Sequence, residues 1–250
     1  MKVLHPDLEA SYPPEEVEQV IDRLMQHPVL QQEGILPALS RLQLSMAHFI
    51  LAHVGLPAGI KNRVIGALLL IYHGLAMHDD VMDSSDKPSQ NVQLTILGGD
   101  YLSALFYKLL ADAGRVDLIH VFAQAIARIN HAKTSILYSI EREDYDEQKL
   151  MADLESVQGS LLFALCRAVN ADDTLHAIVQ AAVSVDVYEE RLLGRLPMRE
   201  AVTWLTQRLS EARMRLKSLT VASLGAEGWL QLERLAGFST SEFTTAVEGN

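Results

Sequence analysis

Cys166 is the only cysteine in 250 residues. It excludes an internal disulfide and fits a reducing compartment. Positive charge is scarce as well: 21 Lys and Arg stand against 32 Asp and Glu, a formal net charge of −11. A general nucleic-acid binder needs basic patches, so that class is excluded. The longest apolar runs, around Ala67–Tyr72 and Ala181–Val185, fall far short of the roughly 20 residues that a membrane-spanning helix needs. The opening MKVLHPDLEASYPPEE lacks the apolar core of a signal peptide. Alternating strand patterns, fixed-period repeats, P-loops and nucleophile motifs are all missing. The expectation is a cytoplasmic protein with no transmembrane segment.

What is present is apolar sequence at helical spacing. Apolar residues make up 49% of the chain and charged residues 21%, a globular composition. A first helix is expected from Pro14, with Glu15, Glu16 and Glu18 in its first turn, stopping near His27-Pro28. Further helices are expected over about Leu36–Val54, Lys61–Asp83, Val116–Glu143, Leu150–Val169, Thr174–Leu193 and Met198–Ser223, with a short last one from Gly225 to Leu235. Between Ser84 and Gln93 the sequence is polar and contains Pro88, which reads as a loop. The next helix is expected to open near Gly98 or Asp100. The class is therefore all-α, a multi-helix bundle around one core. The break at Gly194–Pro197 divides a main domain, 1–196, from a C-terminal helical appendage, 197–250. That appendage carries a basic stripe from Arg199 to Lys217, and a solvated face is its default reading.

The segment Lys61–Asp83 is apolar on nearly every face and ends in an acidic triplet, Asp79, Asp80 and Asp83. On a helix these acids are three or four apart and share one face. Unpaired, they repel one another; a divalent cation removes the repulsion. Hard carboxylate oxygens suit Mg²⁺, which commonly bridges one or two carboxylates to substrate phosphates. The alternative is a solvated helix end. Lys133 sits in an apolar stripe, where it either meets a diphosphate or snorkels to water. Gly74, about one turn before Asp79, either leaves room for a long apolar substrate or marks close helix packing. The histidines show no compact metal-ligand spacing, and Cys166 reads as core.

The stretch Leu75–Leu110 resembles the trans-prenyl diphosphate synthases. That family places D-D-x-x-D on a helix, often after His, and this chain has His78-Asp79-Asp80-Val81-Met82-Asp83. About twenty residues later the family has G-D-[YF]-L, and this chain has Gly99-Asp100-Tyr101-Leu102. Two departures follow. The paired arginine after the first motif is replaced by Ser84-Ser85-Asp86-Lys87-Pro88. The second D-D-x-x-D is missing: neither Asp172-Asp173 nor Val185-Asp186-Val187-Tyr188-Glu189-Glu190 matches it. A closer likeness, carried by Gln93–Tyr107 and Ile129–Lys133, is to the small-subunit family of two-subunit heptaprenyl diphosphate synthases, in which an intact first motif is unexpected.

This resemblance implies the isoprenoid synthase fold and a regulatory subunit without catalytic residues of its own. It implies pairing with a catalytic large subunit, or a homodimer in its place, and help in setting product length for the menaquinone side chain. It also implies Mg²⁺ at Asp79, Asp80 and Asp83 or only in the partner, with Lys133 and Gly74 toward a prenyl diphosphate. The alternatives are an independently active Mg²⁺-dependent prenyl diphosphate enzyme and a non-catalytic helical binding protein.

Overall fold

The computed structural model describes residues 21, 23, 25, 27–35, 38–52, 54–82, 89–142, 146–193 and 202–236. The expected lead-in and most of the first helix, the Gly194–Pro197 break and the C-terminal tail lie outside the described residues. Eight helices are described: α1 Pro28–Gln32, α2 Arg41–Ala52, α3 Ala58–Met82, α4 Ser89–Asp112, α5 Val116–Glu141, α6 Glu147–Ala168, α7 Asp173–Leu192 and α8 Val202–Ala236. All regular structure among the described residues is helical, and none of these helices is long and apolar enough to cross a membrane.

Chain neighbours pack as pairs, α3 on α4, α5 on α6 and α7 on α8, and α2 touches α3, α6, α7 and α8. The core is continuous across them. In α3, Val64, Ile65, Ala67, Leu68, Leu69, Leu70 and Ile71 are all buried, which is why this helix shows no polar face in sequence. Phe122 and Ile129 bring α5 into the same cluster, as do Leu161 and Leu165 for α6 and Val179 and Val183 for α7. Leu209, Leu216 and Leu232 of α8 belong to it too.

Helix starts follow local chemistry. Ser40 precedes α2, and its hydroxyl accepts from the Gln43 backbone N–H at 3.3 Å. Asp146 caps α6 by accepting from the Gln148 and Lys149 N–H groups, and Asp172 caps α7 by accepting from that of Leu175. Each supplies an oxygen to first-turn donors that have no helical partner. Gly225 interrupts α8 with φ +73° and ψ −178°, at the point where the sequence separates the last two helices. Beyond it, Leu232 is buried and Trp229 packs on the core. The Lys217 ammonium lies 6.0 Å from the Trp229 ring centroid.

One expectation is corrected. α4 begins at Ser89, about ten residues before Gly98, so Ser89–Gln93 is helical and Gly98-Gly99 lies inside the helix. The glycines are there for approach, not initiation. A Cβ on Gly99 would stand 2.7 Å from His78 Nε2 and 3.1 Å from the Gly74 carbonyl oxygen; one on Gly98 would meet the Met77 methyl.

Candidate functional site

α3 ends at Met82, so Asp79 and Asp80 stand in its last turn. Asp83 and the side chain of Asp80 lie outside the described residues. Asp79 has a specific partner: Lys133 Nζ on α5 donates to its Oδ2 at 2.5 Å, and the same ammonium lies 3.4 Å from the Leu75 carbonyl oxygen. The Lys133 side chain is 18% exposed and that of Asp79 48%. The lysine stem therefore runs through apolar packing and its head reaches the rim at the acid. Two residues singled out in sequence, 54 positions apart, are joined here.

Gly74 is buried, and a Cβ there would stand 3.2 Å from the Gly99 carbonyl oxygen and 3.4 Å from Ser103 Oγ. Gly74 and Gly99 thus face one another at a close crossing of α3 and α4. This crossing brings the second sequence segment under the first. His78 Nε2 lies 3.7 Å from Asp100 Oδ1 at the solvent edge.

Below this rim the bundle interior holds polar groups that bond to one another, although Gln43 Oε1 is buried without a hydrogen-bond partner. The Tyr72 hydroxyl donates to Gln158 Oε1 at 2.9 Å, and the Gln43 amide donates to the Gln158 carbonyl oxygen at 2.6 Å. Burial first, and the Asp186 carboxylate second, push the Tyr72 hydroxyl up to about 12. Next to it His73 is buried, and its Nε2 accepts from the Ser40 backbone N–H at 3.3 Å. Burial alone lowers the imidazole to about 4, so it is neutral at physiological pH.

Three acids in the last turns of α7, Asp186, Glu189 and Glu190, lie at the edge of the same interior. Glu189 accepts from Arg213 Nη2 of α8 at 2.6 Å, and Asp186 and Glu190 both act electrostatically on Tyr72. Arg191 is fully buried, with Nη1 donating to Glu147 Oε1 at 2.6 Å. Sequence reading missed these pairs. No signal in the sequence marked them, because each joins charges on different helices.

Among the described residues, no group of three or more His, Cys, Asp or Glu converges in a metal-binding arrangement. The described acid of the triplet already neutralises an ammonium, so a divalent ion would have to compete with Lys133 for Oδ2. The described side chains do not form a Mg²⁺ site by themselves.

Comparison with known proteins agrees with this architecture. The chain is 14% identical to a geranylgeranyl pyrophosphate synthetase from the archaeon Geoglobus acetivorans, with a TM-score of 0.66 over 90% of this chain and 97% of that one. Against a polyprenyl synthase from Caulobacter crescentus CB15, solved with calcium and isoprenyl diphosphate, the TM-score is 0.61 at 14% identity, over 92% of this chain and 98% of that one. At such identity these likenesses establish the fold, an all-α bundle of the isoprenoid synthase type. In sequence, the chain is 34% identical over 104 residues to heptaprenyl diphosphate synthase component 1 of Geobacillus stearothermophilus, covering 42% of this chain and 46% of that relative. The match thus spans less than half the length of that curated relative. The family model for heptaprenyl diphosphate synthase (HEPPP synthase) subunit 1 matches residues 27–191, about two thirds of the chain and every helix from α1 to α6 with nearly all of α7. The chain therefore belongs to the heptaprenyl diphosphate synthase subunit 1 family.

Proposed function

We propose that this chain is the regulatory small subunit of a two-subunit long-chain trans-prenyl diphosphate synthase. It pairs with a catalytic large subunit and helps set the length of the prenyl chain. The observation that carries this reading is the state of the acids. Asp79 is neutralised by Lys133, and Glu189 by Arg213. Carboxylates engaged by cations of the same chain are poor metal ligands, because the ion must displace an existing charge partner. In this reading Mg²⁺ and the ionising diphosphate belong to the partner subunit, and Lys133 and Gly74 stabilise this chain's own rim and crossing.

An isopentenyl-transfer assay with farnesyl diphosphate and Mg²⁺ tests it. The chain alone is expected to give no elongation, and the mixture with the large subunit is expected to elongate. Elongation by the purified chain alone would overturn the proposal. It would favour the second reading, an independently active enzyme, for which the retained sequence of Asp79, Asp80 and Asp83 speaks. In that case Asp79→Ala would abolish the activity.

A further inference from the structure

We propose that a groove on the outer side of α5 and α6 is a binding site for a small diphosphate-bearing anion, held by Arg128 and Arg167. The groove has a volume of about 320 Å³. Ser156, Ser160, Phe163 and Arg167 line it along successive turns of α6, and Arg128 enters from α5. It is separate from the rim at Asp79 and Lys133, neither of which lines it.

What marks the groove is that two arginines from neighbouring helices meet in it. In a chain of net charge −11, Arg115, Arg191, Arg208 and Arg213 each hold a carboxylate. Among the described residues, Arg128 and Arg167 make no ion pair or hydrogen bond. They are also close enough to disfavour one another. Partial burial first, and the Arg128 charge second, lower the Arg167 guanidinium below its usual value. Two like charges sharing a groove cost stability, and an anion between them reverses the sign of that interaction.

The donor set suits an extended oxyanion. Each guanidinium offers a planar fork of N–H donors matched to phosphate oxygens. The hydroxyls of Ser156 and Ser160 lie 3.3 Å apart and engage only one another across the groove floor, so both can turn to a ligand. Two guanidinium forks and two hydroxyls line one groove, a set of donors that two linked phosphoryl groups engage more fully than one. Glu155 also lines the groove and works against an anion. Its Oε1 accepts from Ser184 Oγ of α7 at 2.7 Å, which draws this carboxylate toward α7 and leaves the Arg128 side for the ligand.

Calorimetric titration of inorganic diphosphate into the purified full chain, without added divalent metal, tests the site. Saturable binding is expected, weakened about 10- to 100-fold by Arg128→Gln and by Arg167→Gln, the range for losing a charged hydrogen-bonding partner. Lys133→Gln is expected to leave it unchanged. Both arginines are exposed, and an unaltered melting curve confirms that each variant is folded. Absence of saturable binding at millimolar diphosphate overturns the proposal. So does binding that survives both arginine substitutions, or binding that is lost in Lys133→Gln. A parallel titration with geranyl diphosphate separates the sources. Equal affinity supports a site for the head group alone, and tighter binding supports a prenyl-bearing ligand along Phe163. The readout requires neither turnover nor a partner chain, so its failure leaves the subunit proposal standing.

Discussion

His73 makes the stability of this protein pH-dependent in a calculable way. The imidazole is 1% exposed and its Nε2 accepts the Ser40 N–H at the start of α2. Burial lowers its pKa from 6.5 to about 4. Because the folded value lies below the unfolded one, the unfolded chain takes up a proton that the native chain refuses. The stability contributed by neutral His73 is fully present above about pH 6.5. It is lost as the pH falls toward about 4. A shift of about 2.5 units corresponds to about 3 kcal/mol over the whole window, of which about 2 kcal/mol falls between pH 7 and pH 5. The assay is urea unfolding at pH 7, 6 and 5 for the wild type and for His73→Gln. Glutamine keeps an acceptor for the Ser40 N–H and does not titrate. Carboxylates titrate equally in both proteins and cancel in the difference. The wild type should lose about 2 kcal/mol more than the variant between pH 7 and pH 5. Parallel profiles would refute the reasoning, because they would mean that His73 protonates as easily in the folded chain as in the unfolded one.

Three further outcomes are expected. Glu147→Ala should destabilise by about 2–3 kcal/mol, because it takes one charged hydrogen-bonding partner from a guanidinium that is fully buried. Arg191→Met should cost less, since Glu147 is 29% exposed and hydrates when left behind; chemical unfolding in which the order is reversed contradicts this. Gly99→Val, which forces atoms against His78 and the Gly74 carbonyl, should cost about 2–3 kcal/mol. Gly114→Ala, at φ +65° in open space, should cost about 1 kcal/mol from backbone strain alone, and thermal melting decides the ranking. Burial pushes the Cys166 thiol up to about 12, so at pH 8 a thiol reagent should label the native chain about a thousandfold more slowly than the urea-unfolded chain; equal rates would place the thiol at the surface.

Helical class and core were legible because the apolar spacing survives in every long segment. Val64–Ile71 carries no strand alternation and no polar face, and it became the most buried stretch of α3. The break at Gly225 was equally plain, and its positive φ explains why glycine stands there. The Gly98-Gly99 pair was misread because glycine marks both helix ends and close helix contacts, and only the facing Gly74 distinguishes the two. The Lys133–Asp79 contact was half visible: both residues stood out as charges in apolar settings, but nothing in one sequence reveals which pairs meet across 54 positions. Arg191 was invisible for the same reason. Its sequence neighbours look like an exposed helix end, and its partner Glu147 lies at the start of another helix.

The Gly74–Gly99 crossing has a consequence for motion. A contact made by glycines immobilises no side chain, so none of its stabilisation is offset by lost rotamer freedom. Backbone approaches backbone there, with only the His78 ring and the Ser103 hydroxyl beside the contact. α3 and α4, the most extensively packed pair among the described helices, are therefore expected to move together beneath the turn that carries Asp79. α5, which brings Lys133, packs mainly on α6 and only lightly on α4. Any rearrangement that parts Lys133 from Asp79 should therefore be a shift of the α5–α6 pair against the α3–α4 pair.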